Sequence, residues 1–396
     1  MVIVAFSLYA VEFAVQRSDY VTWLFFKVFR NDETREQDQF IKDMRNEGIS
    51  AYIAIPLNQI KPFKIRGSTI QVLSGLANKV AVLCDEESGY ISYQTDRYGF
   101  RNKDLIWDIK QPKIVAVGEP FTHGNCKPTG IVGHIGELYM DTLNLSSLGA
   151  GPLSMLGVLA EYLPRLKPRH ILWFHFEENY LIDLGWELQR QPLLKYLEKN
   201  FRFGVPSFKK EIDKNLSVII DKNLSDIFEK ISDERLERNH PIRVKTRILP
   251  LMGVLDVLLL RNLRRTMNID FLSSATIPIS REKLATPVKN ISGHKFKLFE
   301  KILRLANHLA NQHSSIMHFV YVPQSRNTSS RTKIEQSIQQ QVLSIAKRVG
   351  ISIIDLPPLK LKQNRIVPLE GRYYYHNDDG AKSIANLILM NLIKET

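Results

Sequence analysis

Cysteine is scarce in this sequence. Cys84 and Cys126 are the two in 396 residues. They pair if the chain is exported and stay free thiols if it is cytosolic, and both readings stand open. No CxxC or HExxH spacing surrounds them, so no metal site is expected, and no cofactor is called for. Zinc-finger spacing and dense Lys/Arg runs interleaved with aromatics are also missing, which makes nucleic acid the weakest partner class. Long apolar runs are absent at the amino end. The stretch from Val2 to Val15 is shorter than the ~20 residues a spanning helix needs, it carries Glu12, and no basic residue precedes it as in a signal peptide.

What the chain does have is positive charge. Lysine and arginine outnumber acidic residues 54 to 41, a formal net charge of +13, which favours contact with anionic lipid or acidic polysaccharide. Its apolar content of 44% is enough for a sizeable core, and its length exceeds one typical domain.

The central signal is Ile114-Val115-Ala116-Val117-Gly118-Glu119-Pro120-Phe121-Thr122-His123-Gly124-Asn125-Cys126. A short apolar run that stops at a glycine and opens into a polar turn reads as a buried strand of a parallel sheet. Ligands in such sheets lie beyond the carboxyl ends of the strands, so the turn after Val117 is the first place to look for chemistry. Further strands are expected at Thr142–Leu145, Ile171–Phe176, Met317–Val322 and Ile351–Asp355. Between them lie a helix from Leu153 to Tyr162, ending before Pro164, and one from Ile334 to Arg348. Another carries Phe299, Ile302, Leu303, Ala306 and Leu309 on one face, and a terminal helix is lined by Ala381, Ile384, Ala385, Ile388 and Leu392. Alternation of this kind predicts an α/β fold, a doubly wound parallel sheet in three layers.

Two regions break the rhythm. Residues 17–112 read as an N-terminal accessory region, with a helix around Glu33–Asn46 and strands at Ala51–Ile55, Ile70–Leu73 and Val80–Leu83. Its aromatic stretch Tyr90–Asn102 is expected to pack as a side layer against the main domain. Residues 187–290 read as a helical insertion, strongly charged over Asp221–Arg238. Within it, Val254–Arg265 is a basic amphipathic stretch, expected to dock by its leucines, with an anionic membrane surface as the alternative.

The motif at Gly118 resembles the first motif of the SGNH/GDSL hydrolases, Gly-Asp-Ser-Phe-Thr, whose serine is the nucleophile. Gly118, Phe121 and Thr122 match, while Glu119 stands for the aspartate and Pro120 for the serine. Three later motifs follow in family order over residues 113–393. Gly149 matches the glycine whose N–H helps form the oxyanion hole, and a turn needing positive φ explains it equally. Asn179 matches the oxyanion-hole asparagine, and His376 the general base. Tyr373 stands where the aspartate partner of that base belongs.

The resemblance implies ester or O-acyl chemistry, often on carbohydrates. A serine hydroxyl attacks only when a histidine takes its proton and an aspartate steadies the imidazolium. Proline at position 120 lacks the hydroxyl and also the N–H that the serine gives the oxyanion hole. An impaired site is therefore expected, one that keeps a pocket for an acylated carbohydrate or other ester ligand. Proline nevertheless suits the first turn of the helix leaving the loop. A relocated nucleophile would come from Thr122, Ser146, Ser147 or Ser154, and His123 is expected on the helix surface. The resemblance further implies a place at the cell envelope, with residues 1–16 as the remainder of a membrane anchor. The alternatives are a buried amphipathic helix at this end, and a cytoplasmic protein.

Overall fold

The computed structural model of the chain describes residues 37–86, 89–124, 128–177, 180–222, 293–323, 333–357 and 378–394. Apart from residue 37, these belong to one compact unit formed by residues 38–227 and 290–396. The anchor expected at 1–16, the stretch 254–265, most of the charged run 221–238, and Cys126, Asn179, Tyr373 and His376 lie outside the described residues, as does the side chain of Cys84.

The accessory region contributes helix α1 (37–46) and a three-stranded sheet of β1 (Ala51–Ile53), β4 (Val80–Glu86) and β5 (Gly89–Gln94). In it β1 runs parallel and β5 antiparallel to the central β4. A separate hairpin joins β2 (Phe63–Ile65) to β3 (Ser68–Ile70). The strand expected at Ile70–Leu73 therefore stops where it was to begin. Gln71, Val72 and Leu73 are buried, but they lie outside any ladder, because a run of apolar residues reports burial and not pairing.

The main layer follows. Strand β6 (Ile114–Val117) leads through α2 (Pro120–His123) and α3 (Gly130–Leu138) to β7 (Thr142–Asn144). Helix α4 (Pro152–Leu166) returns to β8 (His170–Phe176), and α5 (Tyr180–Glu187), α6 (Gln191–Leu194), α7 (Lys209–Lys222) and α8 (Gly293–Gln312) precede β9 (Ile316–Val322). Helix α9 (Lys333–Val349), strand β10 (Ser352–Asp355) and helix α10 (Asp378–Lys394) close the chain. Five parallel strands lie in the order β10-β9-β8-β6-β7. All four residues of β6 and all seven of β8 are buried, as central strands covered on both faces must be.

Right-handed crossovers decide which face each helix takes. The step from β6 to β7 runs one way along the sheet, and every later step runs the other. Helix α3 accordingly packs with α10 on one face, where Ile131, Ile135, Ile384 and Ile388 meet Ala116, Leu172, Phe174 and Val320. Helices α4, α8 and α9 pack together instead. On that side Phe299 of α8 meets Phe319 and His175. The result is a three-layer α/β fold of parallel strands whose order of addition reverses between β6 and β8.

Two helices differ from their sequence patterns. Helix α4 runs to Leu166 with Pro164 inside it. Burial of Leu163 and Leu166 holds the last turn despite the missing N–H, and Lys167 ends it at φ 44°. On α8 the buried stripe ends in Ala310, with Leu309 only partly buried, since a 3.6-residue period drifts away from a strict i, i+3 choice.

Asp96 organises the aromatic stretch. Its buried carboxylate accepts from the Tyr98 and Phe100 N–H groups, the Asn102 amide and the Trp107 indole. Tyr98, Phe100 and Trp107 then pack edge-on or tilted around Tyr162 of α4, the side layer expected from sequence. Asn102 also acts on the edge strand β7. Its amide donates to the Asn144 carbonyl at 3.0 Å and accepts from the Asn144 N–H at 2.8 Å.

Candidate functional site

The turn beyond Val117 sits at the carboxyl end of β6, beside the point where strand order reverses, the position at which open parallel sheets place their ligands. Glu119 is extended (φ −92°, ψ −172°), and Pro120 takes the first position of the one-turn helix α2. There its fixed φ fits and its missing N–H is not needed by the helix. Gly118 is held to glycine by space, since a Cβ there would stand 2.1 Å from the Thr122 Oγ1. Glu119 and Thr122 are fully buried.

His123 is also buried, against the expectation of a helix-surface residue. The accessory region covers it. The Tyr93 hydroxyl and His123 Nε2 hydrogen-bond at 2.9 Å, the two rings meet edge to face, and the Arg101 guanidinium lies 4.7 Å over the Tyr93 ring. Burial, helped by the Arg101 charge, pushes the imidazole down to about 3, so it is neutral at physiological pH. His123 Nδ1 and Thr122 Oγ1 meet no hydrogen-bond partner among the described residues.

The second crest loop follows β7. Gly149 has φ +68°, and a Cβ there would collide with Pro56 and Asn58 of the accessory region. Backbone geometry and space both require glycine at this position. The loop is tied to that region by the Leu57 N–H on the Leu148 carbonyl (2.8 Å) and by the Ser147 hydroxyl on the Leu73 carbonyl (3.0 Å). Ser146 donates to the Asn144 side chain, and Ser154 hydrogen-bonds Glu187. The hydroxyls considered as relocated nucleophiles are thus buried, and all three of these serines are engaged elsewhere.

Glu187, a residue the sequence did not single out, sits at the head of α4. Gly151 precedes this helix without a side chain to cap it, and Pro152 supplies no N–H. The Glu187 carboxylate fills the gap, accepting from the N–H groups of Gly151, Leu153 and Ser154 at 3.0, 2.8 and 2.8 Å. A helix amino terminus favours an anion there. Burial outweighs these bonds and pushes the carboxyl up to about 6. A Gly151 Cβ would lie 2.7 Å from that carboxylate. Gly-Ala-Gly-Pro before a helix hints at such a terminus, but a cap that arrives 33 to 36 residues later leaves no local signal.

Beside Glu187 lies a cavity of about 20 Å³, partly open to solvent. Asn58, Gln71, Gly149, Asp183, Trp186 and Arg190 line it together with Glu187. Arg190 donates to the Asn58 backbone carbonyl.

The structure therefore brings Gly118, Glu119, Pro120 and Thr122 together at one crest and places Gly149 on the neighbouring loop. Asn144 links the two loops: its amide reaches the Thr122 carbonyl at 3.5 Å and its Oδ1 accepts from the Ser146 N–H at 3.1 Å. Asn179, Tyr373 and His376 lie outside the described residues. Among the described residues no three metal-ligating side chains cluster, and no helix is long and apolar enough to cross a membrane.

These features define a parallel α/β protein with two crest loops at the reversal of strand order. No protein-family model, curated protein or solved structure matches the chain.

Proposed function

We propose that this chain is an SGNH/GDSL-like protein of the ester or O-acyl hydrolase class whose own hydrolytic site is impaired. The observation that carries the reading is Pro120, at the first position of the helix that leaves the first strand of a 2-1-3-4-5 parallel sheet. A nucleophilic serine would need that place, both for its hydroxyl and for its N–H beside the oxyanion. Thr122 packed on Gly118 and the positive φ of Gly149 agree with the motif order Gly118, Gly149, Asn179, His376. In this reading His376 is the ancestral base, Tyr373 replaces its aspartate, and Gly149 and Asn179 are the remaining oxyanion donors. The ligand is an acylated carbohydrate or another ester, bound without turnover at the cell envelope, where the net positive charge suits acidic polysaccharide or anionic lipid.

The test compares the native chain with Pro120→Ser, both checked for folding by circular dichroism, on p-nitrophenyl acetate and on a fluorophosphonate probe. The native chain is expected to stay at background, and the variant to gain labelling at position 120. Labelling of the native chain at a different serine or threonine overturns the impaired reading. A folded variant that neither labels nor hydrolyses overturns the surviving site.

A further inference from the structure

Gln71 is 4% exposed and lines the cavity beside Glu187. Its Nε2 donates twice, to the carbonyls of Leu57 (3.2 Å) and Ile60 (3.0 Å). Those two bonds fix the amide, because a flip would set an oxygen against two carbonyls. Gln71 Oε1 is therefore an acceptor, and it meets no donor among the described residues. Asn58 Oδ1, a buried atom from a second residue of the same lining, likewise meets no hydrogen-bond partner among the described residues. Buried polar atoms of this kind are satisfied in folded proteins, so the cavity calls for an occupant that donates.

Size and charge narrow the occupant. About 20 Å³ admits one group the size of a water molecule. Two carboxylates, Asp183 and Glu187, and one guanidinium, Arg190, line the space, so a positive donor is favoured over a neutral or negative one. Trp186 belongs to the lining and is 48% exposed, which gives a cation an aromatic neighbour. The cavity opens to solvent on one side, leaving a path for a substituent.

We infer that this cavity is a binding site for a primary ammonium group, which donates to Gln71 Oε1 and Asn58 Oδ1 beside the Glu187 carboxylate. The site holds whether or not position 120 ever carried a nucleophile, since none of its groups belongs to the α2 crest.

The probe is methylammonium chloride, titrated into the full chain at constant ionic strength while the melting temperature is read. Two non-hydrogen atoms bind no more tightly than roughly 5 mM, so stabilisation is expected to develop across the millimolar range. Sodium, and tetramethylammonium with no N–H, are expected to leave the melting temperature unchanged. Gln71→Leu is expected to abolish the response. Asn58→Ala, at a partly exposed position, is expected to weaken it several-fold and serves if the first variant does not fold. An equal response to methanol overturns the charge requirement. No response to methylammonium, or an undiminished response in the folded variants, overturns the site and leaves a cavity that holds water.

Discussion

Two helices begin with proline at the carboxyl ends of neighbouring strands, and they solve the same problem in different ways. At α2, Pro120 follows a Glu119 that makes no side-chain cap, and the turn is sealed by its own packing: Thr122 on Gly118, and Tyr93 over His123. At α4, Pro152 follows a glycine, and the open N–H groups take a carboxylate from a distant helix end, with a cavity beside it. One crest is closed by shape and the other by a buried carboxyl group from far along the chain. The difference shows in their titratable groups, for burial pushes the histidine at the first down to about 3 and the carboxyl at the second up to about 6. Acid should therefore act on them in opposite directions.

The largest effect expected is on the first crest. The folded protein keeps His123 neutral down to about 3, whereas the unfolded chain takes up a proton near the ordinary 6.5. A depressed value means stability that is full above 6.5 and is lost as pH falls toward 3, on the order of 4 kcal/mol by linkage. His175, stacked among Phe319 and Tyr321 and likewise pushed down to about 3 by burial, adds in the same direction. Urea unfolding between pH 7 and pH 4 should show a steep loss that His123→Phe reduces; an unchanged slope in that variant breaks the contrast.

Next comes Glu187. Replacement by alanine strands three N–H groups at the head of α4 and should cost about 3 kcal/mol, read as a lower urea midpoint. Its raised value, about 6 against an ordinary 4.5, gives a contribution present below 4.5 and lost as pH rises through 6, about 2 kcal/mol. Glu187→Gln keeps the shape and should remove that dependence, so the variant gains relative to the native chain as pH rises from 4.5 to 7. A parallel pH profile for the two proteins would show that burial does not penalise the Glu187 charge.

Smaller again is Gly118→Ala, which forces a methyl against Thr122 and should cost about 1–3 kcal/mol. Pairing it with Thr122→Ala should recover most of the loss, and additive costs in the double-mutant cycle would mean the two side chains do not share that space. Smallest is the stability change of Pro120→Ser, below about 1 kcal/mol, because serine also suits the start of a helix. A large change in its urea midpoint would mean that the α2 crest depends on the ring itself.

Much of the central layer was legible in sequence because its strands are covered on both faces. Ile114–Val117 reads as it folds, and the runs at 171–176 and 317–322 miss their strands by a single residue. The errors arise where tertiary contacts decide. Pro164 does not stop α4, because Leu163 and Leu166 remain in the core beyond it. His123 looked exposed because nothing local announces that Tyr93, 30 residues earlier, will cover it. The second crest was visible only as a turn at Gly149. Glu187 lies at the border of the expected insertion and Gln71 within a run read as strand, and neither carries a pattern that names its partner. Sequence periodicity reveals which residues are buried, whereas the polar atoms that complete a buried site come from wherever the fold happens to bring them.

The Asn102 amide on Asn144 has a consequence for how this molecule behaves in a crowd. A bare strand border is a template on which further copies can add, one ladder after another, into filaments. Here, at the crest end of β7, the outward N–H and carbonyl of the last residue are already taken by a side chain that cannot extend the row. Pairing at that end of the border is closed off by a single amide, at almost no cost in chain length.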